Sequence, residues 1–402
     1  MKYVSVQDLV EQNQVVIKTG PFGTQLKASE YVSFGTPVLN VRNLGFATVN
    51  TDKLEMVSDG TLERLSAHKL VTGDIVFGRK GAVERHAFIS ESENGWMQGS
   101  DCIRLRVLAD SVNPRFLSYY FLTKRHRAFM MSMCSHGTTM ASLNQKIIEK
   151  IIVPLPERSI QDKVVEILAT LDKQIATNQK INENLEQQAQ AYFQELFVDN
   201  ADPEWTTGTI SDLGTVVGGS TPSKAKPEYY TETGIAWITP KDLSINKSKF
   251  VSRGENDITE LGLKNSSATI MPEGTVLFSS RAPIGYIAIA AGEVTTNQGF
   301  KSVVPKSEVG TPFVYFFLKN TLPIIEGMAS GSTFKEVSGS TMKNVPAVIP
   351  DAETLAKFSD FCAPIFAQQR ILEGQNQSLA TLRDNLLPKL MSGEIDVSDV
   401  QL

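Results

Sequence analysis

Residues 157–197 read ERSIQDKVVEILATLDKQIATNQKINENLEQQAQAYFQELF, with no glycine and no proline. At ~1.5 Å rise per residue, about 40 such residues make a helix of roughly 60 Å. Val164, Leu168, Leu171, Ile175, Asn178, Asn182, Leu185, Ala189, Tyr192 and Leu196 alternate steps of four and three, the seam spacing of a coiled coil. One helix cannot bury such a seam alone. A second run after Pro350 offers a partner: Phe361, Ile365, Gln368, Leu372, Gln375, Leu379, Leu382 and Leu386 step in the same way. The two helices are read as a spacer from whose ends the rest of the chain hangs. Asn178, Asn182, Gln368 and Gln375 are polar seam positions, which fix register at some cost in stability.

Outward from this spacer the charge is uneven. The chain of 402 residues carries 39 Lys+Arg against 44 Asp+Glu, a net charge of −5. Residues 1–156 hold 18 basic against 14 acidic residues, 157–200 hold 4 against 8, 201–350 hold 13 against 14, and 351–402 hold 4 against 8. The acidity therefore sits in the two helical segments, and the globular parts are slightly basic when taken together. A polyanion partner is compatible with them. No apolar run approaches the roughly 18 residues that span a bilayer, and the opening Met1-Lys2-Tyr3-Val4-Ser5 lacks an apolar signal core. Cys102, Cys134 and Cys362 are odd in number and far apart. They read as small buried apolar residues in a reducing cytoplasm, not as a disulfide framework or zinc site.

The globular parts repeat each other. Gly73-Asp74-Ile75-Val76-Phe77 leads into Gly78-Arg79-Lys80-Gly81, and Gly274-Thr275-Val276-Leu277-Phe278 leads into Ser279-Ser280-Arg281-Ala282-Pro283-Ile284-Gly285. Each reads as a turn, a buried strand and a polar loop, followed by a second strand (Ala87-Phe88-Ile89; Tyr286 to Ala290). Helices starting at Pro114 and Pro312 follow, since proline suits a first helical turn. Gly137-Thr138-Thr139 and Gly331-Ser332-Thr333 stand 194 positions apart, as do Pro156 and Pro350. The predicted class is α+β, with two similar mixed α/β domains (1–156 and 201–350), each followed by a long helix (157–200 and 351–402, the latter with a C-terminal tail).

Catalysis leaves no trace. There is no phosphate-binding glycine loop of either common type and no His-Glu-x-x-His. Asn113-Pro114-Arg115-Phe116 is superficially similar to the Asn-Pro-Pro-Tyr/Phe motif of adenine methyltransferases, but no glycine-rich cofactor loop precedes it, so it reads as a helix start. A duplicated domain without a catalytic constellation points to recognition. Arg offers a fork to guanine, and Asn or Gln can pair with adenine. The candidates for DNA contact in the first copy are Lys18 and Thr19 in one glycine loop, Arg79 and Lys80 after the strand, with Gln98 and Thr138. In the second copy they are Ser220, Thr221 and Lys224 in the corresponding loop, Ser280 and Arg281 after the strand, with Lys241, Asn297 and Gln298. The glycines of both loops are expected to allow close backbone approach to phosphate.

Several phrases carry a family resemblance: Thr19-Gly20-Pro21-Phe22-Gly23-Thr24, Ile238-Thr239-Pro240-Lys241-Asp242-Leu243, Leu277 to Gly285, Ile152-Val153-Pro154-Leu155-Pro156, and Leu386 to Ile395. In this order, and with the duplication, the chain resembles the DNA-specificity subunit of type I restriction–modification systems. That resemblance implies two target-recognition domains, each reading one half of a split asymmetric site on double-stranded DNA. It implies long helices packed antiparallel as a coiled coil that fixes the gap between half-sites. The implied partners are two methyltransferase subunits and restriction/motor subunits. They use S-adenosylmethionine, ATP and Mg, while this chain does no chemistry and binds no cofactor. Two other readings are a coiled-coil scaffold that binds no DNA, and the specificity subunit of a related methyltransferase–nuclease system without separate motors.

Overall fold

The computed structural model describes residues 2–21, 23, 25–134, 142–331 and 335–400. The chain forms two compact units, Met1–Gln174 with Ser378–Leu402, and Ile175–Gln377. Each long helix contributes residues to both units. No helix among the described residues is long and apolar enough to cross a membrane.

In the first unit, Val15–Thr19, Cys102–Val107, Ile75–Gly78 and His86–Phe88 form an antiparallel sheet in that spatial order. A second sheet orders Tyr31–Val32, Glu55–Val57, Thr36–Leu39 and Met97–Gln98, its last pairing parallel. A short ribbon joins Tyr3–Ser5 to Ile152–Pro154. The second unit repeats all three. Gly214–Gly218, Lys301–Pro305, Val276–Ser280 and Ile284–Ala290 match the first sheet, with Phe250–Val251 added at the edge. Tyr230–Thr231, Asn256–Ile258, Ile235–Ile238 and Thr295–Thr296 match the second, and Thr206–Thr209 pairs with Pro346–Ile349.

The duplication extends to local chemistry. Ser5 caps the helix Val6–Glu11 through a capping box with Asp8, and at the start of Ile210–Leu213 the Asp212 carboxylate accepts from the Thr209 N–H and hydroxyl. Asn113 caps Pro114–Phe121 by accepting from the backbone of Arg115 and Phe116, so its tetrapeptide is a helix start. The second copy runs one longer helix, Thr311–Met328, where the first has Pro114–Phe121 and then Lys124–Cys134.

Both long helices form, as Arg158–Gln194 and Ala352–Ser392. In the first unit Val164 and Leu168 share a core with Leu387, Leu390 and Met391. In the second, Ala189 and Phe193 share one with Leu355, Phe358, Cys362 and Ile365. Within each unit the start of one helix therefore meets the end of the other, so the helices run in opposite directions. Leu171, Ile175 and Leu185 are half-buried.

The second helix needs a correction. Ile365 and Leu372 are buried and Leu379 and Leu386 half-buried, but Leu382 is 47% exposed and Phe361 39%. The intervening seam places belong to the next residue along: Cys362, Gln369, Asn376 and Arg383. Three of these are polar and partnered across the helix pair. Gln369 donates to the Asn182 carbonyl at 3.1 Å, Asn376 accepts from Asn178 at 3.0 Å, and Arg383 meets Asp172 at 3.0 Å. Leucine spacing alone favours Leu382, whereas pairing of polar groups favours its neighbour.

One buried ionic cluster ties the strand residue Phe250 and its neighbour to the helices of the second unit. Lys249, 7% exposed, donates to Glu186 at 2.7 Å and to Gln369 at 2.9 Å. Glu186 also accepts from Lys319 at 2.5 Å and from Tyr315 at 3.1 Å, and Glu373 accepts the backbone N–H groups of Lys249 and Phe250. Burial pushes Lys249 down to about 8 against the pull of Glu186. Burial would raise Glu186, but the two ammonium groups outweigh it and hold the carboxyl at about 2.

Candidate nucleic-acid interface

The same loops meet at the same end of the main sheet in each copy. In the first copy, Arg79 donates its N–H to the Asp101 carbonyl and accepts from the Leu143 N–H, both at 2.8 Å. In the second, Ser280 donates to the Gly299 carbonyl at 2.7 Å and accepts from the Val337 N–H at 3.0 Å. The glycine loops close the ends of the outer strands. A Cβ on Gly20 would lie 2.0 Å from the Gly99 carbonyl oxygen, and one on Gly219 would lie 2.0 Å from that of Asn297. Glycine is required at both places by a neighbouring turn of the protein itself, so packing within the domain accounts for Gly20 and Gly219, while a Cβ would have room at Gly23 and Gly218.

In the first copy this end gathers Lys18, Thr19, Arg79 and Lys80. The Thr19 hydroxyl accepts from Gln145 at 3.2 Å, and exposed Lys80 forms an ion pair with Asp101 at 3.7 Å. Gln98 is corrected. It is fully buried, and its amide donates to the carbonyls of Lys18 at 2.9 Å and Cys102 at 3.0 Å. It holds the loop behind Lys18 and is out of reach of a base. Thr138 lies outside the described residues.

In the second copy Ser220 pairs with the Thr296 carbonyl at 2.9 Å, and the Thr221 hydroxyl donates to the Gln298 side chain. Asn297 is half-buried and accepts from the Gly299 N–H at 2.9 Å. Arg281 and Lys301 both reach Glu336, at 3.5 Å and 3.7 Å. Lys224 is exposed, and Lys241, on the helix Pro240–Ile245, pairs with Glu255 at 2.6 Å. Ser280 is the second correction. It is fully buried, and its hydroxyl donates to the Gly299 carbonyl at 3.1 Å.

Sequence reading missed Asp101, Gln145, Lys301 and Glu336, which neutralise or orient the candidates. It also missed Phe46, Arg85 and Arg127. The guanidinium carbons of Arg85 and Arg127 stand 5.7 Å and 4.4 Å from the centre of the Phe46 ring. These residues come from three separate stretches, so no local motif announces them. No group of three or more His, Cys, Asp or Glu suited to a metal occurs among the described residues.

What this arrangement offers chemically is recognition: exposed cations and amides on rigid strand ends, with different side chains on a common frame. Comparison with known proteins gives the family. The family model for the type I restriction modification DNA specificity domain matches twice, over residues 17–187 and 203–387. The specificity subunit of the type I restriction enzyme MjaIX of Methanocaldococcus jannaschii is 40% identical over 190 residues, spanning 45% of this chain and 44% of that protein. The HindI specificity subunit of Haemophilus influenzae is 22% identical over 400 residues, spanning 80% and 86%. The crystal structure of the type I restriction–modification S subunit from M. genitalium shares the fold, with a TM-score of 0.59 over 97% of this chain and 96% of that one at 15% identity. With both copies matched, the chain belongs to the type I restriction–modification DNA specificity family.

Proposed function

We propose that the chain reads a bipartite, asymmetric target on double-stranded DNA, one half-site per globular domain, with the gap set by the two long helices. It is the specificity component, which does not itself methylate or cleave. Two methyltransferase subunits and restriction/motor subunits are its partners, bringing S-adenosylmethionine, ATP and Mg. The observation that carries this reading is the sheet end that recurs in both copies with the same backbone bonding and unlike side chains. One frame with two sets of reading groups suits two unlike half-sites. The helices support the spacing role: Arg158–Gln194 and Ala352–Ser392 are unbroken and contribute residues to both units.

Exchange of residues 205–348 for the matching domain of a relative tests this directly. In complex with its methyltransferase, the hybrid is expected to methylate a motif altered in one half only, with the gap unchanged. Alteration of both halves contradicts one domain per half-site.

A further inference from the structure

The sheet end holds cations seated on aromatic rings at matching places in the two copies. Phe77 pairs with His86 across the first hairpin, and Phe278 pairs with Ile287 across the second. Arg85 and Tyr286 therefore occupy the same register position, one residue before these partners. In the first copy the loop residue Phe46 bridges to His86, and its 40% exposed ring carries Arg85 and Arg127. In the second copy the roles are exchanged: the ring is Tyr286, and the cation is Lys247, 4.5 Å from its centre.

These cations lack acidic partners. Arg85, Arg127 and Lys247 make no ion pair among the described residues, and neither does Glu84 beside Arg85. Both arginines of the second copy, Arg253 and Arg281, are ion-paired. Two guanidiniums against one ring, neither with a carboxylate partner, concentrate positive charge that an anion would neutralise. A planar guanidinium held on a ring is oriented in advance for a two-oxygen acceptor, with less side-chain freedom to lose.

We infer that Arg85 and Arg127 on Phe46, and Lys247 on Tyr286, are phosphodiester contacts that seat each domain on the DNA backbone without reading bases. This rests on the proposed DNA function and assigns it a particular backbone site. The full complex with its methyltransferase subunits is tested on a random-sequence duplex over a range of salt, alongside mapping of its methylated motif. Arg85→Ala with Arg127→Ala is expected to lower affinity on the order of tenfold at physiological salt, and to flatten the slope of log affinity against log salt by about 1.8. Lys247→Ala is expected to flatten it by about 0.9. The methylated motif stays the same, the thermal midpoint is kept, and Arg→Lys variants restore most of the slope. If the double variant misfolds, Arg85→Gln and Arg127→Gln are read singly for the same slope change. An unchanged slope in a complex that still methylates its motif overturns the inference alone. So does a changed half-site with an unchanged slope, which would make these residues base readers. A wild-type complex with no preferred motif defeats the DNA reading and this inference together.

Discussion

Glu186→Ala is expected to destabilise the second unit by about 3–5 kcal/mol, because it strands a buried cation. Lys249 is 7% exposed and held by Glu186 at 2.7 Å, and Lys319 and Tyr315 lean on the same carboxylate. Without it, the Lys249 ammonium keeps only the Gln369 side-chain oxygen and the surrounding rings, the nearest being Phe366 at 3.6 Å from its centre. Replacing both charges, Glu186→Leu with Lys249→Met, is expected to cost much less than the sum of the single changes, since neither charge of the pair is left buried without the other, and the Tyr315 hydroxyl loses the carboxylate in the Glu186 single variant and the double variant alike. Denaturant midpoints of the four proteins in this cycle check it. Additive losses would mean that the two groups are not coupled.

Acid is expected to weaken the first unit well before ordinary carboxylates titrate. His86 and His126 are buried around Phe121, at ring separations of 5.8 Å and 4.8 Å. Burial, aided by their cationic neighbours, lowers both to about 3. His86 meets the Ser118 hydroxyl at 2.9 Å, while the Nδ1 atoms of both rings have no hydrogen-bond partner. Unfolded histidine takes up a proton near pH 6.5 and the folded rings do not. The stability these rings contribute is therefore complete above that value and lost as pH falls toward 3. At about 1.4 kcal/mol per pH unit, roughly 2 kcal/mol per histidine disappears by pH 5. His126→Leu is expected to remove about half of this acid loss. Denaturation midpoints at pH 7.5 and 5 give the measurement, and equal acid losses in the two proteins would contradict it.

The architecture was readable because its signals are repeated or periodic. A glycine- and proline-free run with a four–three seam has few alternatives to a long packed helix, and the two strand–loop phrases announced the duplicated sheets. Register in the second helix was harder. Leu382 fits the apolar spacing, but Arg383 has Asp172 to meet, and periodicity does not record which polar residue finds a partner. Candidate contacts on loops were legible only as residue types. Arg79 and Lys80 do stand at the sheet end, but Gln98 and Ser280 turn inward to bond carbonyls, which is a common use of a buried amide or hydroxyl beside a turn. The Phe46, Arg85 and Arg127 group comes from two separate loops and a helix and exists only once they are folded together.

The central reading is one half-site per domain, held at a fixed gap. It is tested most directly by sequencing the methylated bases in the genome of a host that expresses this chain with its cognate methyltransferase. The expected result is a single motif of two unlike specified halves separated by a constant run of unspecified bases. A contiguous motif, a variable gap, or methylation without a motif would contradict it.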